Sequence, residues 1–426
     1  DSHGIKSTDL ASFRQGIATG CSNCHAREAP TYRDSFHGQA TELGYVAAAK
    51  CSDCHTPHLN LPASNPRSTV APANLLKTCS NCHPDANANF VTFQPHADPH
   101  RKEKSPPLYN LYLAMTVLLA GTFGFFGLHT LLWLQRSIVA FIRREFPRHE
   151  EESTWVMRFE KKHRLTHVAI VVSFLLLAAS GLPLMYAHAG WGKVLARLFG
   201  GVGVTTMVHR IFALITMGYA LFHLGFILRG ALAKRDWRLF VGPDSMVPRV
   251  RDLVDLRNMF KWFFYLGPWP RFDRWTYWEK FDYFAVFWGV PVIGLSGLML
   301  WIPETVTRLF PGWVLNAAML VHSDEALLAI GFIFTFHFFH NHIRPQVFPM
   351  DPVVFVGKLP LETFKSERPD QYARLVEEGG LDALLTGPPT RGQILFARWF
   401  GFSALAIGVV LVIAIYSSFV MRFFSN

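Results

Sequence analysis

The chain has 426 residues, half of them hydrophobic, and a formal net charge of +10 at pH 7. Its six cysteines all belong to one repeated motif, which excludes a disulfide framework. The positive charge collects between apolar runs, as counted below, and calls for no nucleic-acid partner.

Three C-x-x-C-H motifs lie at the start of the chain: Cys21, Cys24 and His25; Cys51, Cys54 and His55; Cys79, Cys82 and His83. Two thiols followed at once by a histidine form the attachment signal of a c-type haem, with thioether bonds from the cysteines and an axial iron bond from the histidine. A zinc site also uses paired cysteines, but three pairs each followed directly by His favour haem. Haem c is attached outside the energised membrane, so residues 1–104 are expected in the periplasm. The chain starts at Asp1, and a cleaved export signal is expected before it.

Each of these irons needs a second axial ligand, and residues 1–106 contain no Met. The candidates are His3, His37, His58, His96 and His100. His37 stands next to Gly38, which lets the chain pass close to a porphyrin. His58 is too near His55 to cap the same iron and suits a neighbouring one. His96 is preferred over His100. Few large aliphatic residues are present, so a loop-rich domain packed around its haems is expected. A charged, proline-containing linker closes it at 95–107.

Six apolar runs follow, at about 108–135, 166–188, 204–228, 281–302, 315–339 and 399–421. Each suffices for a membrane span at about 20 residues. The expected fold is therefore all-α: a six-helix transmembrane bundle, residues 105–426, behind a haem-packed N-terminal domain. With the N-terminus outside, the loops 136–165, 229–280 and 343–398 face the cytoplasm. They hold 8, 11 and 7 Lys and Arg, 26 together, against 2 and 1 in the outer loops 189–203 and 303–314. That asymmetry is the positive-inside pattern. Together with the haem attachment signals, it leads to an expectation of the bacterial inner membrane, with both termini periplasmic.

Histidines within spans are costly unless functional. The third span carries His209 and His223, at i and i+14, and the fifth carries His322 and His337, at i and i+15. Such spacings cover roughly 21–22 Å of helix and return to nearly the same face. Two facing helices of this kind would hold two stacked b haems. His167 on the second span competes with His223 for the inner iron. His129 lies at similar depth, and His340 and His342 just beyond. They would line a quinone pocket, or hold a third b haem as the alternative.

Spans two to five resemble the dihaem cytochrome b subunits of membrane formate dehydrogenases and nickel–iron hydrogenases. The stretches HRLTHVAIVVSFLLLAASGLP, VHRIFALITMGYALFH, WEKFDYFAVFWGVPVIGLSGLMLW and HSDEALLAIGFIFTFHFFHNHIRP carry the likeness, over roughly 180 of 426 residues. The resemblance implies His209 and His322 on the outer haem, and His167 and His337 on the inner one. The family places its last pair at i and i+14, where this chain has i and i+15. His223 is the ligand that cytochrome bc complexes would use. The N-terminal domain is similar to small multihaem cytochromes c and their quinol dehydrogenase relatives, which implies distal-ligand positions at His37 and His58.

Asp324 and Glu325, just after His322, suit proton transfer coupled to quinol chemistry. Glu279, Lys280 and Asp282 read as interfacial anchors, and Arg210 as a partner for a haem propionate. The loops 229–280 and 343–398 carry no nucleotide, flavin or iron–sulfur motif. The expected function is electron transfer between the quinone pool and periplasmic redox partners, such as a c-type cytochrome, through two b and three c haems within a multi-subunit complex. The alternative is a membrane-anchor subunit of a dehydrogenase or hydrogenase with no turnover of its own.

Overall fold

A computed structural model describes residues 7–57, 60–143, 153–344 and 347–425. Among them six helices are long and apolar enough to cross a membrane: Pro106–Ile142, Lys161–Met185, Val202–Ala233, Tyr277–Trp301, Trp313–Ile343 and Arg391–Met421. They are numbered one to six below. The chain is a helical membrane protein, with the six spans where the apolar runs predict them.

Local chemistry sets their ends. Proline opens the first span at Pro106, where its missing N–H has no helical partner to lose. The fourth starts from a capping box. The Thr276 backbone N–H and hydroxyl donate to Glu279 Oε2 at 2.8 and 2.9 Å, and the Glu279 N–H returns to Thr276 Oγ1 at 3.3 Å. Before the third span, Gly200 and Gly201 adopt φ of 95° and 94°, which ends the short helix Gly190–Leu198 and which glycine tolerates.

Two compact units divide the chain, and the division falls inside the long helices. The first takes the residues up to Leu119 with Leu176–Ala213 and Val292–Leu327. Among the described residues its N-terminal part holds short helices, Ala11–Ser22 the longest of them. Its apolar core there is thin: Ala40, Ala48 and Val202, with Leu43 and Leu184 against them. Polar contacts tie this part to the segments between spans. Lys193 pairs with Glu42 at 2.5 Å. Residues 87–94 dock on 304–316: Asn87 donates to Thr307 Oγ1 at 3.1 Å, Gly312 N–H donates to Asn89 O at 2.8 Å, and Gln94 exchanges hydrogen bonds with Asn316.

The second unit takes Ala120–Leu175, Leu214–Pro291 and the residues from Leu328 on. Its core is aromatic, built on Trp133, Met259, Phe263, Phe272, Trp278 and Phe339. The segments between its spans are folded. A helix, Val250–Phe263, lies between spans three and four. A three-stranded antiparallel sheet pairs Trp155–Met157 with Lys358–Pro360 on one side and Leu385–Thr386 on the other. Strands this short cannot show alternation, so the sequence does not announce them.

The three interfacial residues have firmer partners than anchoring requires. Lys280 is 1% exposed and donates to both carboxylate oxygens of Asp252, at 2.9 and 3.0 Å. Glu279 sits between Arg368 at 2.9 Å and Arg158 at 3.5 Å. Asp282 reaches His337, as described next.

Candidate functional site

The rings of His209 and His322 are neighbours, with centres 6.2 Å apart and planes at 73°. Both are half-buried in the first unit. Serine and glycine from the neighbouring helices set each ring. Ser180 Oγ donates to Leu176 O at 2.6 Å, so His209 Nδ1–H donates in turn to Ser180 Oγ at 3.0 Å. Ser296 Oγ likewise donates to Val292 O at 2.7 Å, and His322 Nδ1–H donates to Ile293 O at 3.0 Å beside it. A Cβ on Gly181 would stand 3.1 Å from His209 Cε1, and one on Gly297 would stand 2.9 Å from His322 Cε1. The two Ser-Gly pairs thus form matching cradles. Each leaves Nε2 of its histidine with a free lone pair.

An iron between two imidazoles tests this arrangement. Metal–nitrogen bonds of about 2 Å on both sides put the ring centres about 6 Å apart, as seen here. Among the described residues no cluster of three or more His, Cys, Asp or Glu is arranged around a metal ion. A porphyrin supplies four of the six iron bonds itself, so two facing imidazoles are the complete protein share of a haem site.

The same geometry recurs in the N-terminal part. His37 and His83 have ring centres 6.3 Å apart. His83 Nδ1 lies 2.7 Å from Glu304 Oε1. Thr31 Oγ1 donates to Glu28 O at 2.9 Å, so His96 Nδ1–H donates to Thr31 Oγ1 at 3.0 Å. His96 also lies within electrostatic range of His55, and His55 within that of His25. Burial is the main cause that holds His37, His55 and His96 below the ordinary imidazole value, and neighbouring histidines add to it. The neutral ring that results is the form that binds metal. Burial, and next Cys79, push the Cys54 thiol up to about 11. Burial, and next nearby Cys21, push the Cys51 thiol up as well, so the first two motifs lie close together. His3 and His58 lie outside the described residues. His100 instead meets Tyr112 edge to face, with centres 4.5 Å apart.

In the second unit, Asp282 Oδ2 accepts from His337 Nδ1 at 2.8 Å. His337 lies within electrostatic range of His167, whose Nδ1 is buried without a hydrogen-bond partner among the described residues. A π-helical turn, Ile333–His337, leads to His337 in the fifth span. Such a turn consumes one extra residue. The interval from His322 to His337 therefore winds as one residue fewer would in an unbroken α-helix. His223 differs: its Nε2 is engaged by Tyr283 Oη at 2.8 Å. His129 has both nitrogens engaged, Nδ1 with His340 at 3.3 Å and Nε2 with Tyr277 Oη.

The remaining sequence candidates are placed as follows. Glu325 is 4% exposed. Asp324 lies within electrostatic range of His100. The Arg210 guanidinium stacks over Trp301, 5.0 Å from the ring centre. Sequence reasoning passes over Ser180, Gly181, Ser296, Gly297, Glu304 and Thr31. The repeated Ser-Gly-Leu of spans two and four is the available signal. No protein-family model matches the chain, and no curated protein matches it either.

Proposed function

We propose that the protein transfers electrons across the bacterial inner membrane, between the quinone pool and periplasmic redox partners, using three covalently attached c haems and two b haems. One observation carries the reading. Five histidines singled out as ligands or attachment-motif histidines, His83, His96, His209, His322 and His337, each have Nδ1 engaged by an acceptor, which leaves Nε2 for a metal. Three of them, His83, His209 and His322, lie in ring pairs at the separation of an iron held from both sides. The three C-x-x-C-H motifs supply the covalent anchors.

Bound haem supplies a one-electron iron couple that cycles without a change of ligands. The chain's own residues orient the imidazoles, exclude water and handle protons. His209 and His322 would hold the b haem nearer the periplasm, and His167 and His337 the one nearer the cytoplasm. The engagement of His223 with Tyr283 supports His167 over His223. Asp324 and Glu325 remain the proposed proton acceptors for quinol oxidation. The 26 Lys and Arg of the three loops support the orientation.

Stopped-flow mixing of the purified protein with a quinol analogue tests this. Reduction of both haem classes by the protein alone is the expected result. Haem-loaded protein that stays oxidised until a partner subunit is added would instead make it a membrane anchor of a larger enzyme.

A further inference from the structure

Glu304 lies between spans four and five, far from His83 in sequence, and meets the imidazole of the third C-x-x-C-H motif. Its Oε1 is 2.7 Å from His83 Nδ1, and both side chains are largely shielded from solvent. The contact is built into a dock. Asn87 donates to Glu304 O at 3.3 Å and to Thr307 Oγ1 at 3.1 Å. Asn89 donates to Thr307 O at 3.1 Å, and Gly312 N–H donates to Thr92 Oγ1 at 2.6 Å and to Asn89 O. His37 has its ring centre 6.3 Å from that of His83, tilted by 56°, and Phe90 packs on the same imidazole with centres 4.9 Å apart.

We infer that Glu304 is a positioning residue for the c haem on Cys79 and Cys82: it orients His83 and lowers that haem's midpoint potential relative to the other two. The inference rests on the haem reading above. With Nε2 on iron, Nδ1 carries the proton and donates it to the carboxylate. A charged acceptor makes the imidazole a stronger electron donor to the metal, which favours the oxidised iron. The dock also makes this the c haem held directly by the segment that leads into the fifth span, which carries His322. His96, by contrast, relies on a neutral hydroxyl.

The test uses the full-length protein with Glu304→Gln and Glu304→Asp. Intact mass first counts the attached haems, and redox titration with spectral resolution of the c haems follows. One of three c-haem potentials should rise in the Gln variant, with haem count unchanged, and should return toward the original value in the Asp variant. Near-infrared signatures of bis-imidazole iron should shift for that haem alone. Three unchanged potentials, or an equal shift of all three, would overturn the role of Glu304. A parent protein with no haem on Cys79 and Cys82 would overturn it together with the reading beneath it, and the mass would show that first.

Discussion

The carboxylate of Asp282, on span four, holds Nδ1 of His337, on span five, at 2.8 Å. Asn341 adds a contact to the same nitrogen at 3.1 Å. A carboxylate behind a ligating histidine fixes its tautomer and raises its basicity, and losing one costs about 10–100-fold in metal affinity. Asp282→Ala should therefore release one b haem that much faster to an acceptor apoprotein. The other b haem and all c haems should stay. Unchanged release would remove His337 from the ligand set.

The glycine cradles make a sharper case. Gly297→Val puts branched carbons where His322 Cε1 already lies 2.9 Å from a Cβ. The helix itself gains from losing a glycine, by roughly 0.3 kcal/mol for valine. Loss of one b haem without loss of helical content is the expected result. His322→Ala should lose the same haem. Circular dichroism and haem spectra measured together separate this outcome from general unfolding.

Most of this arrangement follows from features that a single chain displays openly. Six apolar runs of about 20 residues leave few alternatives to membrane helices. Histidines within them are conspicuous because they are costly there. The parts that could not be read depend on contacts distant in sequence or on common residues. Ser180, Gly181, Ser296 and Gly297 are ordinary in membrane helices, where small residues serve packing. Glu304 has no local feature that points to His83. The interval from His322 to His337 is one residue longer than that from His209 to His223, and the π turn at Ile333–His337 takes up that residue.

Lys280 and Asp252 test the packing of the second unit. Both are buried, and the pair makes two hydrogen bonds. Lys280→Met should destabilise the protein by about 3–5 kcal/mol, because it strands a buried carboxylate. The double variant with Asp252→Leu should recover much of that. Thermal unfolding in detergent, followed by tryptophan fluorescence, measures both. A single variant as stable as the parent would contradict the buried pair.

Protons from quinol need an acceptor near the site of oxidation. Glu325→Gln should slow quinol-driven reduction of the c haems by about 10²-fold, with haem content intact. Asp324→Asn should have a similar effect. If both variants keep the parent rate while Tyr277→Phe or His129→Phe loses it, the proton path runs instead through the chain of Tyr277, His129 and His340. Stopped-flow spectra of the two haem classes distinguish the cases.

The central claim is that this chain carries five haems, three held by its cysteines and two by histidine pairs within its spans. A pyridine haemochrome assay on the purified, full-length protein measures it directly. A c-to-b ratio of three to two is expected, from the three attachment motifs and the pairs His209 with His322 and His167 with His337. A preparation with three c haems and no b haem would contradict the membrane half of the account, and a ratio near one to one would place a third b haem among the histidines assigned here to other roles.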